Sequence, residues 1–191
     1  MQRNMKLFLT ILTVLSSFLA NLEQKTLQSD FTITVSEEVN APLNYPGKIT
    51  MHGRNFLLTM LGIEAAYDGK TLYMYSGDVD ELTLSNPTEQ ELLEANPFLY
   101  AKALVNVCNI TERGSSDGKQ TIITLTPKDQ SIGINRFSLR VRNEDLMPLQ
   151  VDLKEGKKMT TLRLTKPAFV TTQSKYTIEP ESGTYVNDMR L

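Results

Sequence analysis

The stretch Tyr67-Asp68-Gly69-Lys70-Thr71-Leu72-Tyr73-Met74-Tyr75 decides how this chain is read. Asp-Gly suits a tight turn because glycine takes a positive φ at little cost, and an aromatic strand over 71–75 follows it. The same grammar recurs on both sides. Ser-Asp-Gly-Lys at 116–119, Asn143-Glu144-Asp145 and Glu155-Gly156-Lys157 punctuate strand-like runs at 120–126, 135–142, 148–154 and 158–165, with another at 81–84. Upstream, Phe31, Ile33 and Val35 alternate with Thr32 and Thr34. Lys48 to His52 alternates likewise, and Phe56, Leu58 and Met60 follow Gly53. Alternation of this kind predicts strands with one apolar and one polar face. Since consecutive strands usually pair, the spacing predicts a meander of hairpins.

One region breaks the pattern. Asn86-Pro87-Thr88-Glu89-Gln90-Glu91 carries a polar cap, an early proline and acidic residues that suit a helix start. Asn96-Pro97 then opens a second helical stretch, with apolar residues at 99, 100, 103, 104 and 107 on one stripe. A curved sheet with one apolar face needs a cover, and these helices can supply it.

Composition narrows the chemistry. The chain has 191 residues, 40% hydrophobic and 22% charged, enough for one domain with a sizeable core. A formal net charge of −2 gives no reason to expect nucleic acid as a partner. There is one cysteine, Cys108, and one histidine, His52. An intrachain disulfide and a cysteine-built zinc site are thereby excluded, and any Ser-His-Asp triad would have to pass through His52. No catalytic residue, metal or cofactor is expected. His52 reads as a strand or turn residue, Cys108 as a small buried apolar residue among Val105, Val107 and Ile110, and Asp78, Asp80 and Glu81 as a solvated turn. Arg136, Arg140 and Arg142 share the strand face opposite Phe137, Leu139 and Val141.

At the N-terminus, Arg3 and Lys6 precede an apolar run at 7–20, LFLTILTVLSSFLA. A basic segment followed by a short apolar run predicts a signal peptide over 1–20, with Ala20 before the cut and a single domain over 21–191. The run is shorter than the roughly 20 residues that span a bilayer.

Four motifs in order resemble the LolA family of periplasmic carriers that take lipoproteins to the outer membrane. They are Gly47-Lys48-Ile49-Thr50-Met51, the Asp68-Gly69-Lys70 hairpin with its aromatic strand, Asn96-Pro97-Phe98-Leu99, and the ending Tyr176-Thr177-Ile178-Glu179-Pro180 through Gly183 to Asp188-Met189-Arg190. The resemblance spans 28–191. It implies a mainly β fold with some helix: an unclosed antiparallel β-barrel, a strongly curved sheet covered by lid helices. It implies an apolar cavity for acyl chains, with Met51, Phe56, Leu58, Met60, Met74, Phe98, Leu99, Leu104, Phe137, Leu139 and Val141 as its expected lining. It also implies periplasmic localisation, an inner-membrane release complex and an outer-membrane acceptor as partners. The family carries an arginine that tunes ligand hold and release, and Arg54 is the nearest candidate. The family also has a helix before its first strand; here that helix is either short, within 21–28, or formed by the apolar segment itself.

Overall fold

The computed structural model describes residues 14–38, 40–171 and 174–190. Its first element is a helix, α1, over 14–24. There follow β1 (Thr26–Glu37), β2 (Asn40–His52), β3 (Asn55–Met60), β4 (Ile63–Tyr67), β5 (Leu72–Ser76) and β6 (Glu81–Ser85). Two short helices, α2 (Glu89–Ala95) and α3 (Phe98–Leu104), interrupt the strands. The chain then continues through β7 (Cys108–Gly114), β8 (Gln120–Pro127), β9 (Arg136–Arg142), β10 (Pro148–Glu155), β11 (Lys158–Val170) and β12 (Tyr185–Asp188).

All the strands among the described residues form one sheet in the order β12-β6-β5-β4-β3-β2-β1-β11-β10-β9-β8-β7. The pairings are antiparallel except β12 with β6, which is parallel. β7 and β12 lie at the two edges and do not pair with each other, so the barrel is unclosed. A bulge at Ser29, between Gln28 and Asp30, breaks the β1–β11 register; the Ser29 hydroxyl donates to the Asp30 and Thr165 carbonyls at 2.5 and 3.1 Å. Bulges bend a strand and increase its twist, which suits a sheet wrapped around an interior.

The register selects the inner face. Phe31 and Ile33 on β1 align with Leu164 and Leu162 on β11, and across β2 and β3 Ile49 meets Leu58 and Met51 meets Phe56. On the far half Val151 meets Leu139, and Leu153 meets Phe137. The helices cover this face with Leu15, Phe18 and Leu22 from α1, Leu92 and Leu93 from α2, and Phe98, Leu99 and Leu104 from α3, all in one core cluster. Each such side chain contributes about 1.5–3 kcal/mol when fully buried.

Local chemistry places the two short helices. Thr88 and Glu91 form a reciprocal capping box at the start of α2. Asn96, held extended before Pro97, ends α2. Its side chain is fully buried; Oδ1 accepts from the Phe98 amide at 3.1 Å and so opens α3. Gly47 has a steric reason to be glycine: a Cβ there would lie 2.4 Å from the Phe31 ring and 2.6 Å from the Thr59 carbonyl oxygen.

The strands and helices depart from the sequence expectations in several places. The helical stripe drawn through Val107 ends at Leu104, and Cys108 begins β7. β4 carries Ala65, Ala66 and Tyr67 as a buried run without alternation, so no period marked it. β2 begins at Asn40 and contains Pro42 and Pro46; its 40–46 half pairs with β1 but not with β3, so prolines lacking an N–H are tolerated there. The segment expected as a signal peptide lies outside the described residues up to residue 13, and from 14 onward it is helical, with Leu15 and Phe18 in the core. The cut expected after Ala20 falls inside α1.

Candidate functional site

Between the inner face of the sheet and the α2–α3 pair lies a cavity of about 480 Å³. Ile33, Leu58, Met60, Ile63, Ala65, Met74 and Leu153 line it from the sheet, and Leu93, Ala95, Pro97 and Tyr100 line it from the helices. Polar groups lie among the lining residues too: Glu94 at the end of α2, and Glu155, Lys158 and Thr160 at the β10–β11 hairpin. Lys158 lies 3.6 Å from Glu155. Burial raises the Tyr100 phenol above its ordinary value, and the Glu155 and Glu94 carboxylates add to the shift. A mostly hydrocarbon interior with polar groups among its lining fits an amphiphile. Among the described residues no cluster of three metal-ligating side chains occurs.

The expected lining residues divide into two sets. Leu58, Met60 and Met74 border the cavity. Met51, Phe56, Phe98, Leu99, Leu104, Phe137, Leu139 and Val141 are buried in the contiguous core around it. All those on strands point inward, and those on α3 belong to the cover. Ile33, Ile63, Ala65, Leu93, Tyr100 and Leu153 border the cavity without having been expected to. Ile33 was legible as a strand residue. Ala65 carries too small a side chain to advertise a cavity, and Leu153 comes from a hairpin remote in sequence.

Arg54 sits in the β2–β3 turn, where its Nη2 lies 2.6 Å from Glu89 Oε2 in the first turn of α2. It does not border the cavity. β3 separates the two: Arg54 is at one end of that strand and the cavity residues Met60 and Ile63 are at the other. α1 is tied down beside it. The Gly53 amide donates to the Leu22 carbonyl at 2.6 Å, and Lys102 of α3 pairs with Glu23 at 2.7 Å.

Several other polar groups join elements of the fold. His52 Nδ1 lies 3.5 Å from the Thr26 hydroxyl. Cys108 is buried, which pushes its thiol up. Asp80 accepts from the Tyr75 and Thr184 hydroxyls at 3.2 and 2.9 Å, and its carbonyl accepts from the Tyr185 amide, pinning the C-terminal segment to β6. Arg190 holds the Asp188 carboxyl down to about 2. Arg142 pairs with Asp145, and together with Arg136 and Arg140 it faces away from the core. A larger and more open depression of about 580 Å³ mixes apolar Phe31, Pro46, Met60, Leu61 and Ile63 with polar Asp30, Lys48, Thr59 and Glu64. No helix among the described residues is long and apolar enough to cross a membrane.

Sheet, cover and cavity together define an unclosed β-barrel with a helix-covered apolar interior, the LolA-like fold. Two known structures have a similar fold. The chain is similar to an uncharacterized conserved protein from Thermus thermophilus, at 12% identity and a TM-score of 0.60, over 91% of this chain and 96% of that one. It is similar to MucB in its complex with MucA from Pseudomonas aeruginosa, at 17% identity and a TM-score of 0.50, over 84% of this chain and 58% of that one. A LolA superfamily protein from Nitrosomonas europaea matches 83% of this chain and 94% of its own, at 12% identity and a TM-score of 0.41. No family model matches the chain, and no curated protein matches it.

Proposed function

We propose that this protein is a carrier of the bacterial envelope that shields the acyl chains of a lipoprotein between the sheet and the α2–α3 cover while the cargo passes from the inner to the outer membrane. The cavity of about 480 Å³ carries this reading, since it falls in the size range of ligand sites and its walls are mostly hydrocarbon. If a methylene takes about the volume of a liquid water, about 30 Å³, the space holds about sixteen methylenes, or one acyl chain. Each gains about 0.8 kcal/mol on leaving water. Cargo with more than one chain requires α2 and α3 to move off the sheet, and Arg54 pairs with the first turn of α2. Arg54 is therefore the residue proposed to tune hold and release.

The function needs no bond-making group. The single histidine pairs with Thr26 and the single cysteine is buried. The likeness to MucB, seen in complex with MucA, supports a second reading: a protein of this fold that senses lipoproteins or other lipid and answers to a protein partner. Native mass spectrometry of protein purified from the envelope tests the first. A co-purifying lipid or lipoprotein, with uptake of a diacylglycerol analogue, is the expected result. A ligand-free protein that takes up no acyl probe would sink it.

A further inference from the structure

Two neighbouring hairpin tips at the cavity end of the sheet carry side chains that the fold itself does not require. The β3–β4 turn is Leu61-Gly62, with both residues at positive φ, 55° and 74°. A two-residue turn of this kind favours Asn-Gly, because a branched aliphatic side chain is sterically disfavoured in the left-handed region. Leucine occupies that position nonetheless, and it is 60% exposed, so no burial offsets the strain. Strain without a packing reason is an observation that points to function.

The β5–β6 tip lies alongside. The Gly77 amide donates to the Gly62 carbonyl at 3.0 Å, and this tip carries Val79, 67% exposed. Between the tips stands Ile63, 40% exposed, which borders the 480 Å³ cavity. Ile63 also borders a smaller depression shared with Met74 and Val79. Ile63, Met74 and Val79 thus link the cavity to the tips.

We infer that the Leu61–Val79 tips are a docking surface for a lipid bilayer, dipping into it so that an acyl chain passes along Ile63 and Met74 into the cavity. The inference rests on the lipid-cavity reading. Three aliphatic side chains on turn tips are too few for a stable protein interface, which needs roughly 1,000 Å². They suffice for a shallow, reversible insertion next to the site that the chain must enter. Charge specifies the surface further. Glu64, Asp78, Asp80 and Glu81 surround the tips, so anionic headgroups are disfavoured and a zwitterionic surface is the match.

The test is binding of the full chain to phosphatidylcholine vesicles by flotation, set against Leu61→Asn and Val79→Ser. Asparagine suits the left-handed turn, so Leu61→Asn should fold with equal or higher thermal stability while binding falls about tenfold. Val79→Ser should act in the same direction. An environment-sensitive dye on Val79→Cys should shift to the blue on phosphatidylcholine, and adding phosphatidylglycerol at low salt should weaken that shift. Unchanged binding of Leu61→Asn, or a dye that never leaves water, would overturn the inference. A concentration-dependent dimer lost in Leu61→Asn would also overturn it, by assigning the tips to a second copy of the chain. Uptake of a dissolved fluorescent lysophosphatidylcholine separates the two readings. Leu61→Asn should retain it; its absence in the unmodified protein removes the cavity reading, whereas vesicle binding alone decides the docking surface.

Discussion

Arg54 Nη2 and Glu89 Oε2 lie 2.6 Å apart, joining the β2–β3 turn to the first turn of α2. The two side chains are 41% and 60% exposed, so the pair contributes between about 0 and 1 kcal/mol to stability. Its position matters more than its strength. It fixes the start of the helix whose other end, at Leu93, Glu94 and Ala95, borders the cavity. Arg54→Gln should leave the melting temperature within a few degrees of the unmodified protein and speed release of a fluorescent acyl probe severalfold in stopped-flow measurements. The charge swap Arg54→Glu with Glu89→Arg should restore slow release. Equal release rates in all three proteins would remove Arg54 from the hold-and-release role.

The cavity offers a direct test at Ala65. This residue on β4 stands between Leu58 and Met74 in the register, and all three border the cavity. A larger side chain in a filled core costs about 1–3 kcal/mol. Here the added atoms have empty space to enter. Ala65→Phe should therefore keep its stability in urea melts while losing acyl-probe uptake. A variant that loses stability instead would show that the space is not available to a ligand.

The parts legible in the sequence were those where one physical signal dominates. The Asp68-Gly69 turn, the strand through Phe31 and Ile33, and the helix start within 86–91 each rest on a local rule, and each stands as expected. The inward face could not be chosen in advance, because parity offers two faces and the Ser29 bulge resets it. β12 escaped notice because four residues, YVND, form a strand only by pairing in parallel with β6 about a hundred positions earlier in the chain. The cavity was legible as a space between the sheet and the helices of 87–107, but not in its full border. Its borders come from Ile33, Ala65, Tyr100 and Leu153, which only the folded sheet and its cover bring together.

Acid should act on the Asp68 hairpin. Burial raises the Asp68 carboxyl, but hydrogen bonds from the Thr71 and Lys70 amides, at 2.8 and 2.9 Å, and from the Tyr73 hydroxyl outweigh it, so its pKa lies below the ordinary value of 3.8. A depressed folded-state pKa gives stability that is present above the unfolded value and lost as pH falls through the folded one. The relevant window lies below about pH 4. Melting temperatures measured from about pH 5 down to about pH 2.5 should fall less steeply for Asp68→Asn than for the unmodified protein. Identical slopes would assign the acid sensitivity to other carboxylates, such as Asp145, which is held low by Arg142.

The N-terminal helix carries the last prediction. Phe18 is fully buried, and Leu15 and Leu22 pack with it in the same core cluster as Phe98, Leu99 and Leu104. The α1 backbone also accepts the Gly53 amide through Leu22, and Glu23 reaches Lys102. Cleavage after Ala20 would delete Leu15 and Phe18 and leave Leu22 on a remnant too short to hold a helix. Phe18→Ala should cost about 3–5 kcal/mol in denaturant melts, the range for truncating a buried aromatic. A chain starting at residue 21 should be less stable still and expose its apolar interior to a hydrophobic dye. Intact-mass analysis of protein recovered from the envelope then decides what processing leaves in place. The expected species retains residues 14–20. A stable, ligand-binding species starting at residue 21 would show that the sheet and the α2–α3 pair close the core without α1.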